Sequence, residues 1–98
     1  MVGGLNMLEI KYTRQMERDL DRMKRQGKDI RKLAAVVAQL AAGQSLPQNN
    51  RDHKLKGKWK DFHECHIEPN WLLLYRIIED KLILLCNATG THDDLFKE

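Results

Sequence analysis

Apolar and polar residues alternate along Leu8-Glu9-Ile10-Lys11-Tyr12, the period of two expected of a strand with one face buried. The period then changes. Met16, Leu20 and Met23 recur at four- and three-residue spacing within 14–26, which predicts an amphipathic helix with a narrow apolar stripe, capped by Thr13 and ended at Gly27. Asp29 opens a second helix carrying Ile30, Leu33, Val36, Val37 and Leu40, closed by Gly43. The second helix is the more apolar, so it should lie deeper in an antiparallel helical hairpin. The stretch 45–50, with Pro47 and the Asn49-Asn50 pair, reads as a turn-rich connector.

Three further strands are predicted over 59–68, 71–78 and 81–87, joined by Pro69-Asn70 and Glu79-Asp80 as two-residue turns into an antiparallel meander. Such turns place Glu68 opposite Trp71 and Ile78 opposite Lys81, so that His66, Leu73 and Cys86 share a cross-strand row. Phe62, Glu64, His66, Trp71, Leu73 and Tyr75 then share one sheet face, and Cys65, Ile67, Leu72, Leu74, Ile83 and Leu85 the other. The aliphatic face is expected against the helices, and the mixed face, with its aromatic and ionisable groups, as a cleft. A one-residue bulge would exchange these sides. After the last strand, Gly90 is a hinge and Leu95-Phe96 an apolar pair, which predicts a terminal turn pinning His92 against the sheet.

The element order β-α-α-β-β-β makes this an α+β fold, and 98 residues with 42% apolar content suit one core. Residues 1–7 are expected to be a flexible leader and 8–98 a single domain. The apolar runs fall well below the ~20 residues of a membrane-spanning helix and no signal segment opens the chain, so a cytoplasmic protein without a membrane partner is expected. Cys65 and Cys86, predicted on opposite faces with a strand between them, are expected as free thiols.

The net charge of +3 is modest, but its placement is not random: Arg51, Lys54, Lys56, Lys58 and Lys60 form a basic track that suits a polyanion. Three of the chain's 4 histidines, His53, His63 and His66, fall within the same region. His63 and His66 lie three apart on a predicted strand and so point to opposite faces, and there is no Cys-x-x-Cys or His-Glu-x-x-His, so neither a metal set nor a cofactor is expected. Both cysteines sit inside predicted strands, where a thiol is usually a small buried hydrophobe, and no glycine-rich phosphate loop is present. Two readings of these residues stay open: ordinary, partly exposed histidines beside a solvated lysine loop, or cleavage of RNA without a metal. In the second, a base takes the 2′-hydroxyl proton, an acid protonates the leaving 5′-oxygen, and cations steady the charged phosphorane.

The blocks Asp52-His53-x-Leu55-x-Gly57-x-Trp59, His66-Ile67-Glu68-Pro69-Asn70-Trp71 and Thr89-Gly90-Thr91-His92-x-x-Leu95-Phe96 together closely resemble the YafQ branch of the RelE-like toxins of bacterial toxin–antitoxin systems. The resemblance runs from about Leu8 to Phe96 and implies a RelE-like fold, with a two-helix hairpin packed on an antiparallel sheet. It also implies a ribosome-dependent endoribonuclease acting on messenger RNA. The implied partners are the ribosome and its mRNA, a DinJ- or RelB-like antitoxin, and operator DNA reached through that antitoxin.

By the same resemblance His53, His66, His92 and Asn70 are the catalytic candidates, and Lys54, Lys56, Lys58, Lys60, Trp71 and Phe96 the RNA-binding ones. Two positions depart from the family pattern. Asn70 stands where an aspartate is usual and cannot act as a carboxylate base, and Ala88 stands where many relatives carry an arginine. An alternative therefore stands beside the nuclease: an inactive toxin that keeps antitoxin binding and co-repression.

Overall fold

The computed structural model describes residues 7–96. The expected leader, apart from Met7, lies outside them. Strand β1 (Glu9–Tyr12) leads into helices α1 (Arg14–Arg25) and α2 (Ile30–Ala41). A short strand β2 (His53–Lys54) follows, then β3 (His63–Glu68), β4 (Trp71–Ile78), β5 (Ile83–Gly90) and a one-turn helix α3 (His92–Leu95). The five strands form one sheet in the order β1-β5-β4-β3-β2, antiparallel except where β1 pairs parallel to β5.

Local chemistry sets the helix ends. Thr13 Oγ1 accepts from the Met16 N–H at 3.0 Å and its hydroxyl donates to the Asn87 carbonyl at 2.7 Å, so the cap of α1 is also its tether to β5. Both helices end in the same motif: Gly27 (φ 81°) and Gly43 (φ 75°) take left-handed backbone while Lys28 N–H and Gln44 N–H reach back to the carbonyls of Met23 and Gln39. As its composition suggests, α2 is the deeper helix, burying Leu33, Val36, Val37, Leu40 and Ala41.

The strand predicted over 59–68 begins later, at His63. Residues 57–59 instead form a 3₁₀ turn entered through left-handed Gly57 (φ 66°), and the loop is closed by Leu55 N–H donating to the Phe62 carbonyl at 2.9 Å. The turn after β4 is also longer than two residues: residues 79–81 make a 3₁₀ turn and Leu82 takes a left-handed conformation, so Ile78 pairs with Ile83 and not with Lys81.

The face assignment is corrected in β4 and β5. Glu68 pairs with Trp71 as expected, but His66 pairs with Leu72, because Ile67 is a one-residue bulge. The row expected to join His66, Leu73 and Cys86 does not form. Cys65, Trp71, Leu73, Tyr75, Leu84 and Cys86 pack against Met16, Met23 and the α2 aliphatics, whereas Leu72 and Leu74 face away from the helices together with Glu64 and His66. The larger apolar area of Trp71 and Tyr75 accounts for the outcome, since the helix-covered face buries the most surface. Leu72 and Leu74 are buried nonetheless, because α3 packs across β4 and β5 on their side.

Cys65 and Cys86, expected on opposite faces, therefore lie in the same core, with β4 between their strands and both thiols free. Burial pushes the Cys86 thiol up to about 12, and burial followed by the nearby Asp52 carboxylate pushes that of Cys65 higher still. Neither thiol should react with iodoacetamide at pH 8 in the native protein, and both should react once denaturant is added. Mass spectrometry of the alkylated chain checks this; rapid native labelling of either would contradict the packing.

Candidate active site

Strand β2 is only two residues long, yet it sets the site. It places His53 directly opposite Glu64 on β3, and alternation puts His66 two residues further along the same face. The Glu64 side chain is nearly buried, with its Oε1 3.5 Å from His53 Nε2 and 4.0 Å from His66 Nε2.

Each ring is fixed from its other nitrogen. His53 Nδ1 lies 2.8 Å from the carbonyl of Arg51, itself in left-handed backbone (φ 50°), and His66 Nδ1 lies 3.2 Å from the Pro69 carbonyl. A carbonyl only accepts, so both rings carry hydrogen on Nδ1 and present Nε2 to the carboxylate. The geometry thus places one carboxylate oxygen between two imidazole Nε2 atoms. Asn50 Nδ2 donates to the His66 carbonyl at 2.6 Å and ties the strand to the connector.

His92 arrives from the other side. His66 pairs with Leu72 and Leu72 with Gly90, so the chain leaves β5 for α3 in the row of His66, about 10 Å away at two strand spacings. Thr91 and Asp94 form a reciprocal capping box that starts α3 at His92. The exposed His92 ring lies 4.9 Å from that of Phe96, and Phe96 meets the edge of Trp59 at 5.5 Å. Trp59 in turn meets Phe62 at 5.7 Å. This aromatic chain forms a roof that joins α3 to the loop before β3. His53 and His66 are therefore brought together around Glu64, and His92 stands on the same face but apart from them. His63 takes the opposite face, stacked on Tyr75 at 5.2 Å.

The lysines Lys54, Lys56, Lys58 and Lys60 are all exposed along β2 and the 3₁₀ turn, with Lys58 Nζ 5.8 Å above the Trp59 ring. Asn70 is exposed at the tip of the β3–β4 turn. Trp71 is a correction. Alternation with a two-residue turn put it beside His66, but the Ile67 bulge turns it toward the helices, where it is 0% exposed and donates from Nε1 to Thr89 Oγ1 at 2.8 Å. Its surroundings are those of a core residue. Ala88 pairs with Leu74 and borders a pocket of about 370 Å³ whose wall includes Arg22, Trp59, Asn87 and Asp94.

Glu64 was not among the sequence candidates. Alternation put it on the face of His66, but nothing predicted β2, and without that strand there was no reason to bring His53 to it.

Comparison with known proteins agrees with this architecture. The chain is 36% identical over 89 residues to the mRNA interferase toxin YafQ of Escherichia coli K12, covering 90% of this chain and 95% of the relative. It superposes on the toxin of the E. coli DinJ–YafQ toxin–antitoxin complex with a TM-score of 0.83 and 33% identity, covering 92% of this chain and 98% of that one. On a metal-bound toxin from Helicobacter pylori the TM-score is 0.87 at 39% identity, covering 92% and 100%. The family model of the bacterial toxin YafQ, of type II toxin–antitoxin systems, matches residues 8–97. With the motif blocks, the fold and the sequence match in agreement, the chain belongs to the YafQ family of type II toxin–antitoxin toxins.

Proposed function

We propose that this toxin is an endoribonuclease that cuts messenger RNA on the ribosome, in the cytoplasm, by acid–base catalysis without a metal. The observation that carries the reading is the carboxylate of Glu64 held between the Nε2 atoms of His53 and His66 on an exposed face beside the lysine track. In the reaction a histidine base takes the proton of the 2′-hydroxyl and the 2′-oxygen attacks phosphorus. The bond to the 5′-oxygen breaks as a second histidine supplies its proton, leaving a 2′,3′-cyclic phosphate and a 5′-hydroxyl. The His53–Glu64–His66 set and His92 flank the strip on which the phosphate lies, one on each side. Lys54, Lys56, Lys58 and Lys60 neutralise the RNA backbone, and Phe96 holds the His92 ring and shapes the floor. Asn70, at the rim, offers a hydrogen bond but no base.

The H. pylori relative is a metal-bound toxin. Among the described residues of this chain no group of three or more His, Cys, Asp or Glu side chains is placed to hold an ion, and both site imidazoles aim at a single carboxylate oxygen. No step here passes through a metal. The partner complex of the E. coli relative supports a DinJ-like antitoxin as partner, and the reading adds that this antitoxin suppresses activity by covering or distorting the cleft. Operator DNA would be bound through that antitoxin.

Induction of the wild-type chain should arrest growth and produce discrete cuts within translated transcripts, mapped by primer extension. Purified toxin should cut mRNA on programmed ribosomes at an unchanged rate after exhaustive EDTA treatment. His92→Ala should slow that cleavage roughly 10²-fold or more, the scale of a lost general acid or base. Intact transcripts after induction, with antitoxin binding retained, would refute the nuclease and favour the co-repressor, and loss of cleavage on chelation would refute the metal-free mechanism.

A further inference from the structure

Strand β1 ends at Tyr12, opposite Cys86, so among the described residues the end of β5 has no neighbouring strand on that side. Backbone groups on an open edge need other partners. Helix α1 supplies them with side chains. The carboxylate of Asp19, a residue only 2% exposed, accepts from Thr89 N–H through Oδ2 at 3.1 Å, and Arg22 Nη2 donates to the Thr89 carbonyl at 3.2 Å. Arg22 Nη1 and Gln15 Nε2 both bond Asp19 Oδ1, at 3.0 and 2.8 Å, so acceptor and donor are held in fixed relation. An ion pair on a helix is thereby standing in for a strand.

The same guanidinium continues past the edge. Arg22 Nη2 lies 3.5 Å from Asp94 Oδ2, the oxygen that also accepts from Thr91 N–H at 2.9 Å in the capping box of α3. The packing leaves no slack: a Cβ on Gly90 would sit 2.7 Å from Asp94 Oδ2 and 2.9 Å from Arg22 Nη2. Thr89 is fixed from its other side by Trp71 Nε1 and by its own hydroxyl donating to the Leu72 carbonyl. Residue 89, residue 91 and residue 94 are thus all anchored, and His92 is the exposed residue in the middle of the anchored segment.

We propose that Arg22, locked to Asp19, is the positioning residue for His92: it holds the β5–α3 junction so that the His92 ring stands at a fixed height over the sheet row shared with His66. This rests on the catalytic reading of His92 given above. The long, two-ended reach of a guanidinium fits the role, because it bonds a carbonyl and a carboxylate from one planar group.

The test is a double-mutant cycle on single-turnover cleavage of end-labelled mRNA by purified toxin on programmed ribosomes, with the imidazole region of the ¹H–¹³C spectrum as a second readout. Arg22→Gln should lower the rate at saturating toxin roughly 10- to 100-fold, the cost of a misplaced reacting group, with the half-saturating concentration unchanged. Arg22→Lys should recover part of it. In a His92→Ala background Arg22→Gln should cost less than about 2-fold, because the two act through one ring. The His92 cross-peak should move in Arg22→Gln while those of His53 and His66 stay in place.

Equal losses in both backgrounds, a loss only in half-saturation, or an unmoved His92 cross-peak would overturn the proposal. If Arg22→Gln does not fold, Asp94→Asn repeats the cycle, since it discharges the Arg22 contact while keeping an oxygen for the Thr91 N–H. A His92→Ala toxin as fast as the wild type would overturn the catalytic reading instead, and the cross-peak alone would then decide the positioning claim.

Discussion

Trp71→Ala should lower the melting temperature of the isolated toxin by roughly 12 °C or more, because emptying a buried tryptophan site costs about 3–5 kcal/mol and each 1 kcal/mol moves a domain of this size by about 4–8 °C. The ring is fully buried in the main core, and Lys28 Nζ lies 5.9 Å from its centroid. Truncation also strips Thr89 Oγ1 of a donor at the point where the sheet hands over to α3. Trp71→Phe keeps most of the volume and loses only the N–H, so its melting temperature should fall much less. Thermal denaturation followed by circular dichroism separates the two. A Trp71→Ala toxin that melts like the wild type yet fails to cut RNA would show that the ring contacts substrate and that its packing contributes little.

The second large effect is expected at Glu64. Glu64→Gln keeps the shape of the side chain but puts a neutral amide where two Nε2 atoms converge, at 3.5 and 4.0 Å. Without the carboxylate, the two rings lose the negative charge that faces both of their Nε2 atoms, and with it the electrostatic support for a proton moving to or from either ring. Ribosome-bound cleavage should fall roughly 10²- to 10⁴-fold, the range over which general acid–base groups contribute, and growth arrest on induction should be relieved. Stability should change little, because the amide can still donate to one imidazole nitrogen. A Glu64→Gln chain as toxic as the wild type would remove the carboxylate from the mechanism.

The helices were legible in the sequence because their information is local. Thr13, Gly27, Asp29 and Gly43 do at the helix ends what their side chains and backbone freedom predict, and Met16, Met23, Leu33 and Leu40 are buried where the 3.6-residue period puts them. The sheet was legible in its strands but not in its sides. Trp71, Leu73 and Tyr75 were correctly separated from Leu72 and Leu74 by alternation, yet which set meets the helices depended on the bulge at Ile67 and on covering elements far along the chain. Leu72 and Leu74 look like ordinary core residues, and they are, but under α3 and not under α1 and α2.

The candidate site divides the same way. Motif spacing led to His53, His66 and His92, since each stands in a block of recognisable residues. Glu64, Asp19 and Arg22 carry no motif. Their roles appear only when β2 pairs with β3 and when the edge of β5 runs out of strand, and both are long-range events. The strand predicted through Trp59 failed for a local reason, the left-handed turn at Gly57, which frees the tryptophan to join the aromatic roof.

The extra residue at Ile67 makes the β3–β4 hairpin a phase-setter for the whole molecule. Removing that one amino acid would shorten β3 by a single residue, yet would carry Glu64 and His66 beneath α1 and α2 and turn Cys65 to the opposite face. This short stretch can therefore accept many substitutions over evolutionary time but almost no change in length.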